Sequence, residues 1–397
     1  MTYGMERTSL GTPAIAPTHE ASGAAARAPA EIRCRIAHLH STLGVYGAER
    51  WTLALLKHID ASHFPSIVVS VGAKAGSDAF QRIAIGQGLR AFHIAQPGRF
   101  NPRAIVELRR LLLRERIDVL HTHGFKSDVL GYLAAAHLPI ELVSTIHGWT
   151  AGEGLRIRAY EAISRRFLRR FDRIYPLSPE LLSGLARQSF DLRKLHLIPN
   201  GVDLDNFEFR FNPRRPDDAL SLLFVGRLCR PKGTFELLNA YARAGLPTGT
   251  QLRIVGDGPA RSELEALSRS LGITDRVEFI GAVASIGPIL EQSHALVLPS
   301  YSEGVPRAVM EAFAAGVPVI GTAIPGIEQL VHDGTTGLLV PVADVPSLQR
   351  ALERLAGDPR LAERMAGNAR RLVVEKFSAR RMAREFEREY ARMRKTA

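Results

Sequence analysis

The chain has 397 residues, 46% of them hydrophobic, which exceeds one ordinary core and favours two domains. Its two cysteines, Cys34 and Cys229, lie far apart and match no metal-ligand spacing, so neither a disulfide framework nor a zinc site is indicated. The formal net charge of +12 favours an anionic partner, such as nucleotide phosphates, acidic lipid headgroups or nucleic acid.

The sequence disfavours a membrane-spanning or secreted protein and a nucleic-acid binder. No apolar run approaches the roughly 20 residues that span a bilayer, and the N-terminus lacks the apolar block of a secretory signal, so we expect a cytoplasmic protein. Nucleic acid is the weakest partner, because the sequence has no recognised nucleic-acid-binding motif and no repeated aromatic platform.

Residues 1–30 are rich in Ala, Pro, Gly, Ser and Thr without a sustained apolar period, which predicts a disordered lead-in. From residue 31 onward, short apolar runs alternate with helix-period segments, the pattern of a parallel sheet wrapped by helices. In a first domain, 31–200, strands are predicted at 35–39, 66–71, 90–94, 118–121, 142–146, 174–177 and 195–198. In a second domain, 201–378, they are predicted at 222–225, 252–255, 277–280, 295–298, 317–320 and 337–340.

The break between these two doubly wound α/β domains is predicted at Pro199-Asn200-Gly201, followed by the polar, proline-bearing stretch 212–218. Ligands of such sheets bind beyond the carboxyl ends of the strands, and two domains place the site in the cleft between them. The loops that follow strands are therefore where we expect the functional residues.

In the first domain, the loop 41–50 is a glycine-containing turn that runs into a helix and includes Gly47. It can hold a phosphate or an acceptor, but it lacks the GxGxxG spacing of a dinucleotide site, and a structural turn is the alternative. His147 follows the strand 142–146, from which its imidazole can project into the cleft. A structural histidine is the alternative there.

Two histidine pairs, His38/His40 and His121/His123, each place two imidazoles on one face of a strand, as a metal site does. No cysteine or close carboxylate completes a ligand set. The segment 203–205, DLD, resembles the metal-binding carboxylate pair of another class of sugar transferases, but its place in a linker favours a turn. We therefore predict no catalytic metal and no cofactor.

The segment 155–174, LRIRAYEAISRRFLRRFDRI, carries seven arginines against two acidic residues, with Phe167, Leu168 and Phe171 interleaved. Such a basic amphipathic helix can lie on an anionic membrane surface. The alternative is a packed helix with its apolar side on the sheet and its arginines in water.

After the first strand of the second domain, residues 226–233, GRLCRPKG, deliver up to three cations just before a helix. Arg227 and Lys232 are the candidates for a diphosphate clamp, because Arg offers a planar fork of donors and Lys a mobile point charge. A solvated basic loop is the alternative.

Residues 300–322, SYSEGVPRAVMEAFAAGVPVIGT, place two carboxylates, Glu303 and Glu311, on either side of a predicted helix start. Pro306 suits the first helical position, and Val305 before it has no side-chain oxygen to cap the free backbone N–H groups. Gly304 allows a close backbone approach, and the helix dipole is positive at this end, so the segment can bind a phosphate. An ordinary helix start with water on its amides is the alternative.

Taken together, GRLCRPKG, LPSYSEGVPRAVMEAFAAGVPVI, the glutamate of PGIEQLV and HDGTTGLLVP strongly resemble glycosyltransferase family 4, retaining enzymes of the GT-B fold. These pieces cover nearly all of the second domain, and the first domain matches more loosely, through residues 44–50, His147 and 199–203. The resemblance implies two Rossmann-like domains facing across a cleft. It also implies a C-terminal helix, within 379–397, that crosses back to the first domain.

The resemblance implies a role for each candidate residue. Four are catalytic: Glu303 beside the donor sugar, as the first glutamate of an E-x7-E motif, His147 on the sugar from the opposite domain, and Arg227 and Lys232 on the diphosphate. The other donor-binding residues are Gly47, Gly226, Gly304, Val305, Glu311 on the ribose, and Glu328 near the sugar or the diphosphate.

Three positions depart from the family pattern. Tyr46 stands where the family usually has a glycine, Gly148 follows the histidine where an acid is common, and Pro325 replaces a glycine. The fit of the first loop against a phosphate or an acceptor therefore depends on Tyr46. None of these changes removes a charged group assigned above.

The implied reaction moves a sugar from a nucleotide-diphosphate sugar to a hydroxyl of a glycan or lipid-linked acceptor, with retention of configuration and without a metal. Retention can arise from attack on the same face as the leaving group, which we favour, or from Glu303 acting as a nucleophile. Such a protein would build a cell-surface polysaccharide or glycolipid at the inner face of the cytoplasmic membrane. A sugar-nucleotide epimerase of the same fold and a non-catalytic sugar-binding relative are the alternatives.

Overall fold

The structure is a computed structural model that describes residues 34–41, 47–72, 79–96, 101–147, 155–213, 215 and 217–393. For residues 155–161 it describes the backbone alone. The predicted lead-in, 1–30, lies outside the described residues, as do Tyr46, Gly148 and the last residues of the chain.

The first domain is built on a parallel sheet. Its strands, β1 to β6, are Ile36–His40, Ser66–Gly72, Arg90–Ala95, Val119–Thr122, Glu141–Ile146 and Arg173–Pro176. Its helices, α1 to α6, are Gly47–His58, Ala79–Gly86, Pro102–Arg114, Phe125–Ala135, Leu155–Leu168 and Pro179–Arg187. The strand order is β3-β2-β1-β4-β5-β6. Every residue of β1 and β4 is buried, as expected where helices cover both faces of a parallel sheet.

The second domain repeats this architecture. Its strands, β7 to β12, are Ser221–Val225, Gln251–Val255, Val277–Gly281, Ala295–Leu298, Val319–Thr322 and Gly337–Val340. Helices α7 to α13 are Thr234–Arg243, Arg261–Ser270, Gly287–Leu290, Arg307–Ala315, Pro325–Glu328, Val345–Gly357 and Pro359–Lys376, and α14 is Ala379–Met393. The strand order is β12-β11-β10-β7-β8-β9.

The predicted pair of doubly wound domains is therefore confirmed. In each sheet the strand order reverses beside the first strand of the domain, between β1 and β4 and between β7 and β10. Ligand sites form beyond the strand ends at such a point.

One predicted strand, 195–198, is wrong. A single bridge joins Leu195 to Ile174 at the edge of the first sheet. The backbone N–H groups of His196 and Ile198 donate to the carbonyl oxygens of Ile174 and Pro176 at 3.0 and 3.3 Å, so the segment runs beside β6 without forming a regular strand.

The last helix, α14, packs on the first domain although it follows the second domain in sequence. Phe386 and Tyr390 are buried in the same apolar cluster as Trp51 of α1. The ring of Phe386 meets Trp51 edge-on, with 5.3 Å between centroids. Glu389 pairs with Arg173 of β6 at 2.8 Å. The helix thus forms part of the first domain's core.

The basic helix α5 and the residues after it use their apolar side chains inside the first domain. Leu168 and Phe171 are fully buried, and Phe167 packs on Tyr132 with 5.1 Å between ring centroids. Arg170 donates to the Tyr132 hydroxyl at 2.9 Å. This half of the segment matches the packed-helix alternative. Among the described residues, no helix is both long and apolar enough to cross a membrane.

Candidate active site

The candidate site lies at the carboxyl ends of β7, β10 and β11. Lys232, in the loop after β7, donates from Nζ to Oε1 of Glu303 at 2.6 Å. Ser300, just after β10, donates from Oγ to the same carboxylate oxygen at 2.8 Å. The pair is largely shielded, with 25% of the Lys232 side chain and 11% of the Glu303 side chain exposed. An ammonium group and a carboxylate therefore meet beside the predicted helix start.

Two glycines let these loops pack backbone to backbone. Gly233 has a φ of +68°, and a Cβ there would lie 1.9 Å from the carbonyl oxygen of Pro299. A Cβ on Gly326 of α11 would lie 1.8 Å from the carbonyl oxygen of Gly304. Position 326, where close packing requires a glycine, is thus a glycine in this chain. The residue before it, Pro325, is the one that departs from the family pattern.

Helix α10 begins at Arg307, one residue later than predicted. Pro306 is the N-cap residue, because its ψ of 118° is extended and not helical. Within the described part of the chain no side chain caps the helix, and its first backbone amides have no intrahelical acceptor. The uncapped, electropositive helix start is therefore present, shifted by one residue.

Arg307 links the two sides of the cleft. Its Nη2 donates to Oε1 of Glu311 at 2.8 Å, and its Nη1 donates to the backbone oxygen of Gly47 at 3.2 Å. Gly47 begins α1 of the first domain, and Glu311 is a buried residue of α10. Sequence reasoning missed Arg307, although its i, i+4 spacing from Glu311 was a usable signal.

The other predicted donor-binding residues surround this centre. Gly226 lies beside Lys232, whose Cδ would be 3.8 Å from a Cβ at position 226. Val305 packs, half-buried, against the core of the second domain. Arg227 and Glu328 are exposed, and among the described residues neither side chain forms a hydrogen bond or an ion pair with Lys232 or Glu303. The ligand roles of these residues stay predictions.

His147 follows β5 on the first-domain side of the cleft. Its backbone oxygen would lie 3.8 Å from a Cβ at Gly304, so the two loops face each other. Its Nε2 is 3.2 Å from Nδ1 of His123, and Trp51 meets its ring edge-on at 5.2 Å. Burial, and then the nearby His40, lower the pKa of His147 to about 3, so the imidazole is neutral.

His147 is the outer member of five clustered imidazoles, termed here the histidine column: His38, His40, His121, His123 and His147. His38 and His121 are register partners on β1 and β4. The ring of His40 stacks on that of His123 at 4.3 Å, with 9° between the planes. The two histidine pairs of the sequence thus form one packed group, a relation that spacing along the chain did not indicate.

The histidine column lacks the geometry of a metal site. Potential ligand atoms of His38, His121 and His123 lie within 4.8 Å of one another. However, the nitrogens of this group face each other and not a common point: Nδ1 of His38 lies 3.1 Å from Nε2 of His123, and Nδ1 of His123 lies 3.2 Å from Nε2 of His147. His121 also bonds at both nitrogens, to the hydroxyls of Tyr390 and Thr145 at 2.7 Å each.

The segment 203–205 overlaps the 3-10 turn Leu204–Asn206, in agreement with the predicted turn. Lys57 of α1 pairs with Asp203 at 2.7 Å, and Arg380 of α14 pairs with Asp205 at 3.2 Å. These carboxylates are therefore neutralised by structural ion pairs.

Two doubly wound domains with cations, a carboxylate and an uncapped helix start at their cleft define a GT-B glycosyltransferase. The structure of Anabaena HepE in complex with UDP and glucose covers 90% of this chain and 99% of its own, with a TM-score of 0.77 at 18% identity. Sucrose-phosphate synthase from Thermosynechococcus elongatus covers 92% of this chain and 100% of its own, with a TM-score of 0.78 at 22% identity. These two similarities establish the fold.

Sequence relatives establish the family. The model of Glycosyltransferase Family 4 matches residues 45–206, and that of Glycosyl transferases group 1 matches residues 205–372. D-inositol 3-phosphate glycosyltransferase of Actinosynnema mirum is 32% identical over 282 residues, which are 64% of this chain and 67% of that protein. UDP-Gal:alpha-D-GlcNAc-diphosphoundecaprenol alpha-1,3-galactosyltransferase of Escherichia coli is 30% identical over 296 residues, 70% of this chain and 76% of that protein. The chain belongs to glycosyltransferase family 4, as its motifs predicted.

The histidine column makes the fold acid-sensitive. Burial, with the neighbouring histidines, lowers the pKa of His38 to about 3 and that of His121 and His123 well below 6.5, as it does for His147. Because these folded-state values lie below the unfolded ones, the stability they contribute is present above pH 6.5 and lost as the pH falls. At pH 5.5 His38 and His147, with pKa values of about 3, together cost about 3 kcal/mol, and His121 and His123 add to the loss.

Asp128 opposes this loss, because burial raises its pKa to about 6 and its protonation restores about 1 kcal/mol. We therefore expect the free energy of unfolding to fall by about 2 kcal/mol or more between pH 7.5 and 5.5, measured by urea unfolding. His38→Gln should reduce that fall by roughly 1 kcal/mol. Equal stability of the parent at the two pH values would contradict the prediction.

Proposed function

We propose that this glycosyltransferase moves a sugar from a nucleotide-diphosphate sugar to a hydroxyl of a glycan or lipid-linked acceptor, with retention of configuration. The observation that carries the proposal is the Lys232–Glu303 pair, at 2.6 Å, beside the uncapped start of α10. An ammonium group, backbone amides and a carboxylate around one point suit a sugar attached to a diphosphate.

In the proposed complex the donor lies across the loops after β7 and β10. Lys232 and Arg227 hold the diphosphate with the amides of α10, and Glu303 contacts the sugar. Glu311, inside α10, accepts from the ribose hydroxyls, so the two glutamates serve opposite ends of one extended ligand. Negative charge builds on the departing phosphate, and cations placed beside it lower the barrier. Gly226, Gly304 and Val305 line the donor, with Gly47 and His147 opposite and Glu328 near the sugar or the diphosphate.

The residues at this centre suit a leaving group stabilised by cations of the protein. Oε1 of Glu303 already accepts from Lys232 and Ser300, which makes this carboxylate a poor ligand for a divalent ion. We therefore propose metal-independent transfer. Activity that is lost with a chelator and restored with manganese would overturn this part of the proposal.

Retention is proposed to follow from attack on the same face as the leaving group. The ion pair with Lys232 and the hydrogen bond from Ser300 hold Glu303 and lower its nucleophilicity, which disfavours a covalent intermediate. Peptide mass spectrometry after incubation with donor tests this point. A glycosyl adduct on Glu303 would reject same-face attack.

Two similar proteins support the proposed substrate classes. The Escherichia coli relative is named for UDP-Gal and a diphosphoundecaprenol-linked sugar, and HepE has a structure with UDP-glucose. An anionic lipid-linked acceptor also suits the net charge of +12. A role in polysaccharide or glycolipid synthesis is proposed on the same basis.

A membrane contact through the exposed arginines of the 155–174 segment is part of the proposal. Arg166 and Arg169 are exposed, whereas Leu168 and Phe171 are buried, so the proposed contact is electrostatic. Each basic residue near an anionic surface contributes about 1 kcal/mol.

The double variant Arg166→Glu/Arg169→Glu should weaken binding to vesicles that contain phosphatidylglycerol by at least tenfold, because about 2 kcal/mol of attraction is lost. Co-sedimentation at low and high salt measures the binding. The control, Arg269→Glu/Arg354→Glu, makes the same charge change at exposed positions of the second domain. Equal weakening by both double variants would assign the effect to net charge alone.

Lys232→Ala should lower the turnover number by roughly a hundredfold or more, because a donor that stabilises the leaving group is lost. The matched control is Arg230→Ala in the same loop, since that side chain pairs with Glu263 at 3.3 Å and lies over the Phe235 ring. Nucleoside diphosphate release from donor plus acceptor measures transfer. Incubation of donor alone separates transfer from epimerisation, since an epimer formed without acceptor would favour the epimerase alternative.

Glu311→Ala should weaken binding of the free nucleoside diphosphate by roughly 10- to 100-fold, because hydrogen bonds to a charged group are worth about 1.5–3 kcal/mol. Calorimetric titration with UDP, GDP and ADP measures this and identifies the base. Glu363→Ala, at an exposed position of α13, is the control. Unchanged affinity in Glu311→Ala would reject the ribose role, and no binding by the parent would favour a non-catalytic relative.

A further inference from the structure

Three members of the histidine column form a chain of hydrogen bonds from the interior of the first domain to the cleft. Nδ1 of His38 lies 3.1 Å from Nε2 of His123, and Nδ1 of His123 lies 3.2 Å from Nε2 of His147. His38 lies within β1, whereas His123 directly follows β4 and His147 directly follows β5. The hydrogen bonds therefore cross three neighbouring strands and lead toward their carboxyl ends.

The rings of this chain are neutral, because burial keeps protons off all three. A neutral imidazole has one N–H and one lone pair, and each N···N hydrogen bond needs one of each. The proton positions are therefore correlated along the chain. Either all three rings carry the proton on Nδ1, or all three carry it on Nε2.

The inner end of the chain distinguishes these two arrangements. Nε2 of His38 is buried and has no hydrogen-bond partner among the described residues. Protons on Nε2 would leave that nitrogen as a buried N–H without an acceptor, which is rarer and more costly than an unused lone pair. The arrangement with protons on Nδ1 avoids this. It makes His38 donate to His123 and His123 donate to His147.

We propose that His38 and His123 are positioning residues, which hold His147 in a fixed orientation with its only proton on Nδ1, directed at the donor sugar. Nε2 of His147 is occupied by His123, so Nδ1–H is the donor that remains for a sugar or phosphate oxygen. The rings of His40 and Trp51 pack on His123 and His147 and restrict their rotation. The direction toward the sugar rests on the proposed function; the proton positions do not.

Nitrogen NMR of the full chain labelled with ¹⁵N-histidine tests the proton positions in the resting protein, without substrate. Single substitutions assign the signals, and ring nitrogens with and without a proton differ strongly in chemical shift. We expect His38, His123 and His147 all protonated on Nδ1 near pH 7.5. A proton on Nε2 of His147, a mixture at that ring, or different tautomers along the chain would overturn the proposal.

The variant His38→Phe keeps a ring but removes the inner donor. We expect mixed tautomers at His147 and about a tenfold loss of kcat/KM, the size of effect that follows loss of an orienting partner. Nucleoside diphosphate affinity should be unchanged, since Lys232, Arg227 and Glu311, which are proposed to hold the diphosphate and the ribose, lie in the second domain. His38→Asn, whose amide can donate in place of Nδ1–H, should restore the tautomer and most of the activity.

The matched control is His93→Phe. His93 lies in the edge strand β3 of the same sheet, hydrogen-bonds to Ser70 of β2, and is not part of the His38–His123–His147 hydrogen-bond chain. It should leave the His147 signals and the kinetics unchanged. Equal loss in both Phe variants, or a normal His147 tautomer in His38→Phe, would reject the positioning role. Absence of transfer with every donor would reject the proposed function while the NMR result still decides the proton positions.

Discussion

The ion pair between Lys232 and Glu303 is the interaction on which the candidate site depends. It joins the loops after β7 and β10, which flank the point where the strand order of the second sheet reverses. The backbone N–H of Tyr301 donates to the carbonyl oxygen of Pro231 at 2.8 Å and ties the same loops. In the proposed function, an arriving phosphate would meet an ammonium group whose position is already fixed, so little reorganisation would be needed.

The two walls of the cleft meet through polar contacts made by Arg307 of α10 and Arg50 of α1. Arg307 connects Glu311 to the first domain at Gly47. Arg50 of α1 donates to the carbonyl oxygen of Ala284 at 2.5 Å on the opposite side. Polar contacts of this kind exchange readily with water, which suits a cleft that must open to release a product. The residue that touches the proposed ribose-binding carboxylate is thus also a residue that links the domains.

The sequence predicted the second-domain site better than the first-domain one, for a physical reason. Glu303, Glu311 and the start of α10 lie in one continuous segment whose local geometry follows from proline, glycine and helix spacing. His38 and His123 are 85 residues apart, and the parallel sheet brings them together. Distant pairs of this kind leave no local pattern, so the two histidine pairs gave no sign of a single column. The edge segment 195–198 has an apolar pattern that suits a strand, and it runs beside β6, but it forms a single bridge there and no regular strand.

The histidine column is costly in a way that bears on its role. Buried imidazoles lose their charged form, and Nε2 of His38 is left without a partner in the described part of the chain. An apolar side chain in the same place would avoid both costs, since partly satisfied polar networks are less stable than apolar packing. The hydrogen bonds that lead to His147 supply something an apolar core cannot, a defined proton at the cleft. The burial that costs stability at low pH keeps these rings neutral at neutral pH, and the hydrogen bonds then fix which nitrogen carries the single proton.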